Sequence, residues 1–229
     1  TLVMPATFLI SDSSQAVEAI DLKTADSYAI LAGGALTNGG NTNVLGDIGA
    51  PSDTFTGQDL ITQTGDPHVG DDLYSQAMAD LAVAYDAAGA AATSGETISG
   101  DLIGLTLTAG AYYSEAALSL TGELTFDGTP DSVFLIRTDG ALNIAAAGNI
   151  IFTNGASADN VYWHVTGATT IGAGAVFAGT ALTKGAITIG AGSKVRGRLL
   201  SIDGAITLDS SKIYSYDAPV IPLSPSTID

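Results

Sequence analysis

The tetrapeptide Gly-Ala-x-Thr returns along this chain at nearly even intervals, and that regularity limits the folds open to it. It stands at Gly34-Ala35-Leu36-Thr37, Gly185-Ala186-Ile187-Thr188 and Gly204-Ala205-Ile206-Thr207. Gly167-Ala168-Thr169-Thr170 and Gly140-Ala141-Leu142-Asn143 are close variants, and Gly122-Glu123-Leu124-Thr125 keeps the spacing without the alanine. The leading glycines Gly104, Gly122, Gly140, Gly167, Gly185 and Gly204 are 18, 18, 27, 18 and 19 residues apart. A period near 18 is the mark of stacked coils, each too small to bury its own apolar side alone. About six residues per side gives three sides per coil.

Composition agrees with a flat β surface better than with a catalytic cleft. Charged residues make up 14% of the 229, and there are 28 glycines. The 24 acids against seven Lys and Arg give a net charge of −17, which repels phosphate backbones and anionic lipid, so no nucleic-acid partner is expected. There is no cysteine, hence no disulfide, thiolate metal site or thiol nucleophile. No apolar run is long enough to span a bilayer, so no membrane insertion is expected. The opening residues lack the basic stretch of an intact signal peptide.

Along the chain, residues 1–24 read as an N-terminal cap, with a short strand at Phe8–Ile10 and a helical turn over Ser13–Ile20. Ala25–Leu31 reads as a buried strand and Ala35–Ala50 as one or two coils, followed by a polar loop over Pro51–Asp66. From about residue 69 to 93 the period changes to steps of three and four: Leu73, Ala77, Leu81, Tyr85 and Ala88, widened by Met78 and Ala82, mark an amphipathic helix. Asp71 and Asp72 suit its positive end and Gly95 its stop. Residues 25–214 read as one domain and 215–229 as a tail or linker.

Within Ala186-Ile187-Thr188-Ile189, the two large isoleucines must face inward, which turns Ala186 and Thr188 outward. The same alternation sends out Ala205 and Thr207, Ala168 and Thr170, Ala141 and Asn143, and Glu123 and Thr125. Stacked, they form a grid of methyls and hydroxyls with few charges. Such a grid fits ordered water or another repetitive solid. It also fits a generic structural face, because threonine is simply a good strand residue.

The chain further resembles the microbial ice-binding proteins. The matching stretches include Ala29-Ile30-Leu31-Ala32-Gly33, Gly46-Asp47-Ile48-Gly49, Ser132-Val133-Phe134-Leu135-Ile136, Asn160-Val161-Tyr162-Trp163-His164-Val165 and Val195-Arg196-Gly197-Arg198. They fall in the family's order over roughly residues 21–214. The resemblance implies a mainly β fold: a discontinuous right-handed β-helix of triangular cross-section, with one long α-helix alongside. It implies a secreted protein that adsorbs to ice, gives thermal hysteresis and inhibits recrystallisation, with ice as its partner. Separately, no cofactor is expected, and the protein is expected to be a monomer. Carried residue by residue, the ice-binding positions are Ala35, Thr37, Ala141, Asn143, Ala168, Thr170, Ala186, Thr188, Ala205 and Thr207; the strand alternation adds Thr125 to this candidate ice-binding set, with Glu123 a charge in the alanine file.

A rival surface is kept open, ranked lower because it is rougher. It lies on the second strand of each coil, with Asp47, Leu135, Tyr162, Thr180, Leu182 and Leu200, and Arg137, His164 and Arg198 beside them; it can equally be the seat of the helix. Catalysis finds no constellation. His68 and His164 share no ligand spacing, and Arg137, Arg196 and Arg198 lack the acidic cluster that a calcium-dependent lyase needs. No catalytic or metal residue is assigned. The second functional reading is a structural or adhesive secreted module that binds a protein or glycan.

Overall fold

The computed structural model describes residues 17–52 and 54–215. Leu142–Ile144 lies on one side of a three-sided coil, Asn149–Thr153 on the next and Val161–Val165 on the third. Thr169–Ile171 then returns to the first side, in parallel register with Leu142–Ile144. Repetition of this path gives an eight-stranded sheet on one side and a 15-stranded sheet wrapped over the other two. Val176–Thr183 and Lys194–Ser201 are long enough to serve both wrapped sides. They turn the corner between them at Gly179 and Gly197, whose φ of 110° and 141° suit only glycine.

The chain order is discontinuous. Tyr28–Ala32 pairs with Lys194–Ser201, Leu36–Asn38 with Ile206–Leu208, and Thr42–Leu45 with Lys212–Tyr214, so the first coil stacks against the last. The segment expected as a polar loop at Pro51–Asp66 is instead part of a second N-terminal coil. Phe55–Thr56, Ile61–Gln63 and Pro67–Val69 add a strand to each side. Its short strands and many polar residues hide the alternation. To reach the other end the chain runs through helix α1, Asp72–Ala91, and resumes at Glu96–Thr97. The stack beside α1 is about 38 Å tall at ~4.8 Å per rung, and twenty helical residues cover about 30 Å, so α1 has to lie lengthwise.

Asp71 caps α1 by accepting the Tyr74 N–H at 2.7 Å, and that bond with the His68 contact holds its carboxyl below the ordinary range. The helix buries Ala77, Leu81, Ala84 and Ala88, and these pack on Leu31, Leu135, Tyr162, Leu182 and Leu200. Leu73, expected in this stripe, is 61% exposed: the first turn overhangs an open cleft that it lines with Tyr28 and His68. The 3₁₀ turn Lys23–Ser27 occupies the start of the strand expected from Ala25, and Val17–Ile20 has no regular structure. The Phe8–Ile10 strand, the start of the Ser13 turn and the tail beyond 215 lie outside the described residues.

Inside the coil, Phe126, Phe134, Trp163 and Phe177 pack on one another edge-on or tilted and are almost fully buried, with the Trp163 indole donating to the Ala178 carbonyl at 3.0 Å. The corners explain the glycine of the repeat. A Cβ on Gly204 would sit 2.2 Å from the Gly185 oxygen, one on Gly185 2.6 Å from the Gly167 oxygen, and one on Gly167 2.7 Å from the Gly140 oxygen. Each obstacle is rigid backbone of the adjacent coil, so only glycine lets the coils close to ladder distance.

Gly204→Ala is therefore expected to destabilise by roughly 1–3 kcal/mol, the range of overpacking, and towards its upper end because the obstacle is backbone that cannot yield. Gly39→Ala, whose nearest obstacle is 3.7 Å away, should cost well under half of that; paired thermal melts decide. A second expectation concerns His164, buried under α1 against Tyr85, with ring centroids 4.1 Å apart. Burial, helped by the Arg137 charge, pushes its pKa down to about 4. The unfolded chain takes up that proton near pH 6.5 while the native chain resists it, so stability falls as pH drops from about 6.5 to about 4. The loss is on the order of 3 kcal/mol. His164→Phe should flatten the melting temperature over that window.

Candidate functional site

The eight-stranded side is the flat, uncovered one. Its strands alternate strictly: Leu36–Asn38, Leu142–Ile144, Thr169–Ile171, Ile187–Ile189 and Ile206–Leu208 each bury their outer two residues and expose the middle one. Register then fixes the exposed file. Thr56, Thr37, Thr207, Thr188, Thr170, Asn143, Ser119 and Asp101 succeed one another along the stack. Adjacent members are about 4.8 Å apart, one rung.

Main-chain hydrogen bonds carry the ladder one residue further back. They run from Leu118 N to Ala141 O, Leu142 N to Ala168 O, Thr169 N to Ala186 O, Ile187 N to Ala205 O and Ile206 N to Ala35 O. Ala117, Ala141, Ala168, Ala186, Ala205 and Ala35 therefore make a second file, about 6.6 Å from the first along the strands. Both files are rigid for the same reason. The backbone is paired on both edges, threonine is stiff at χ1, and alanine has no side-chain torsion to fix.

The chemistry of the grid is uniform. Among the described residues, the hydroxyls of Thr170, Thr188 and Thr207 have no protein partner and face solvent. The Thr56 hydroxyl reaches that of Thr37 at 3.4 Å. Charge enters the file only at its end, in Asp101. The Thr121 hydroxyl and the backbone N–H groups of Thr121 and Ile103 bind that carboxylate and hold it below its ordinary pKa. Lys184, Asp203 and Asp209 stand exposed at the corners, beyond the grid.

The chain as a whole has relatives among known proteins. A family described as ice-binding-like matches residues 30–214. The chain belongs to the ice-binding-like family. A relative named ice-binding protein from a Colwellia species is 32% identical over 93% of this chain and 90% of its own length. One of the same name from Nostoc sp. (strain HG1) is 32% identical over 84% and 72%. The solved ice-binding protein of the Antarctic ascomycete Antarctomyces psychrotrophicus aligns with a TM-score of 0.83 and 33% identity, over 87% of this chain and all of its own. An ice-binding protein from an Antarctic biological consortium aligns at 0.85 and 32%, over 93% and 96%. The mainly β coil with one lengthwise helix is thus the fold of these ice-binding-like proteins.

Most sequence-derived positions fall together: Ala35, Thr37, Ala141, Asn143, Ala168, Thr170, Ala186, Thr188, Ala205 and Thr207 share the flat side. Thr125 does not. It lies in Glu123–Asp127, half-buried on the adjoining side between Thr106 and Ile151, and Glu123 goes with it. The rung that Thr125 was expected to fill belongs to Ser119 and Ala117. Leu118 pairs with Leu142, 24 residues on, because the turn Gly128–Val133 lengthens this coil. Ala116 precedes that rung where the others carry glycine, which is why a glycine-led repeat passes over it; Thr56 was hidden in the supposed loop. The rival surface is closed. Leu135, Leu182, Leu200 and Tyr162 are buried in the seat of α1. Thr180 is fully buried, and Asp47 is half-buried, accepting the Asp66 N–H at 2.9 Å. Arg198, 5% exposed, is bound through Asp26.

Proposed function

We propose that this protein binds ice through the eight-stranded side, with the Thr56–Ser119 file and the alanine file as the contact surface. The observation that carries this reading is the register itself. Exposed hydroxyls and methyls repeat at one spacing along the whole stack, free of charge until Asp101. A hydroxyl in the file bonds into a water layer, while the neighbouring methyls hold water in a caged arrangement. Each contact is weak. Their sum is usable because the grid is already rigid, so little conformational entropy is lost on docking.

A molecule held in this way forces the ice front to grow outward between adsorbed neighbours. Curved ice is harder to extend, and that supports the finer reading of thermal hysteresis and inhibited recrystallisation. Ice outside the cell is the natural target of such a surface, so the protein acts as a secreted one.

Thr188 sits mid-file and exposed, and a bulkier ring there would stand above the plane and lift several rungs at once. Thr188→Tyr is expected to remove at least nine-tenths of the hysteresis and of the uptake into a growing ice hemisphere. The circular dichroism and melting temperature should hold, because the side chain packs on nothing. Full activity in that variant would sink the assignment of this side. The corrected rung gives a separate expectation: Ser119→Tyr lowers hysteresis several-fold, whereas Thr125→Val, on the adjoining side, leaves it within error.

A further inference from the structure

We infer that Asp209 sets the width of the ice contact, holding it to two files where the coil offers three; this takes the eight-stranded side as the docking surface, as proposed above. The alternation that turns Thr207 outward and buries Leu208 turns Asp209 outward again, about 6.6 Å beyond Thr207. The ladder continues at that position. Main-chain bonds run from Gly39 N to Leu208 O, Gly190 N to Ile171 O, Gly172 N to Ile144 O and Ala145 N to Leu120 O. Gly39, Asp209, Gly190, Gly172, Ala145 and Thr121 therefore succeed one another, one rung apart, as a third file parallel to the threonines.

Asp209 is the one charge among these six, and it interrupts the file rather than ending it. Both its neighbours, Gly39 and Gly190, are glycines, so the carboxylate stands above them. A Cβ on Gly40 would come 2.7 Å from Asp209 Oδ1, which shows the carboxylate leaning over the adjacent coil into space that Gly40 leaves open. The Ser210 hydroxyl donates to the same oxygen at 3.0 Å, and among the described residues it is the carboxylate's one partner. Asp101, at the end of the threonine file, is bound by the Thr121 hydroxyl and by the N–H groups of Thr121 and Ile103. The protein meets the charge of Asp101 and leaves that of Asp209 to water.

An ion gives up its hydration only at large cost unless a partner replaces it. Water in a crystal is fixed in a lattice and cannot turn to solvate a carboxylate as liquid water does. Ice laid against all three files would strip Asp209 of its liquid shell. The contact therefore stops at the threonine file, and Gly190, Gly172 and Ala145 stay outside it although they share its register. Ala145 shows that a methyl group fits the third file. With a methyl in place of the carboxylate, the usable plane widens from about 7 to about 13 Å, one further pair of outward positions along each strand.

The test compares thermal hysteresis and uptake into an ice hemisphere for the full chain and its Asp209→Ala, Asp209→Asn, Asp209→Lys and Asp131→Asn variants. Asp209→Ala should raise hysteresis roughly 1.5-fold, the ratio of three files to two for rigid contacts that add. Asp209→Asn, which keeps an acceptor for Ser210, should also gain, because the charge is the obstacle, and Asp209→Lys should not. Melting temperatures should match the wild type. Asp131, exposed on the turn Gly128–Val133, lies away from the flat side, so Asp131→Asn removes the same unit of charge and should leave hysteresis within error. No gain in Asp209→Ala or Asp209→Asn, a gain in Asp209→Lys, or an equal gain in Asp131→Asn overturns the inference. Thr188→Tyr keeps the two readings apart. Hysteresis lost there, with no gain at position 209, removes the role of Asp209 and leaves the docking side standing; hysteresis retained there removes the docking side itself.

Discussion

Everything in this molecule follows from stacking one coil on the next without lateral offset. Parallel ladders demand about 4.8 Å between rungs, and the corners must close to the same distance as the strands. The backbone of Gly185 passes so near Gly204 that a methyl group would collide with it, and the same holds down the column through Gly167 and Gly140. Glycine at that corner is thus a condition for the register. Once the register is set, the alternation of strand side chains sorts Ile187 and Ile206 inward and Thr188 and Thr207 outward in straight files. The order of the outer surface is a by-product of the order of the inner one.

The helix makes the three sides unequal. A three-sided coil has three candidate surfaces, and α1 with the turn Lys23–Ser27 covers most of one of them through an alanine stripe seated on leucines. Of the remaining two, one mixes Lys194, Lys212, Arg196 and Glu123 with half-buried apolar residues, and one is uniform. The division of labour among the sides therefore rests on where the helix lies. That is dictated by the need to carry the chain from one end of the stack to the other.

Much of this was legible in the sequence. The period near 18, the strand alternation and the single helical stripe gave a stacked coil, a long helix and most of the exposed file. The failures have a common cause. Gly122 stands at the repeat interval from Gly140, so Glu123 and Thr125 read as one rung of the file. The true rung carries Ala116 at its corner and lies in a coil lengthened by a turn. Thr56 sits in a coil whose strands are two or three residues long and too polar to show a period. Leu73 obeys the helical spacing yet overhangs an open cleft, because the seat of α1 begins one turn later, at Ala77.

By itself the sequence determined the local elements: which residues alternate, where glycine allows a corner, and that threonine and alanine share one strand face. Those are short-range matters of backbone geometry and side-chain volume. Only the tertiary structure decided which rungs become neighbours, since the first coil packs on the last and coil length varies between them. It also decided which side stays open, because the candidate surface at Leu135, Tyr162, Leu182 and Leu200 is lost to a helix whose path is set by the height of the whole stack.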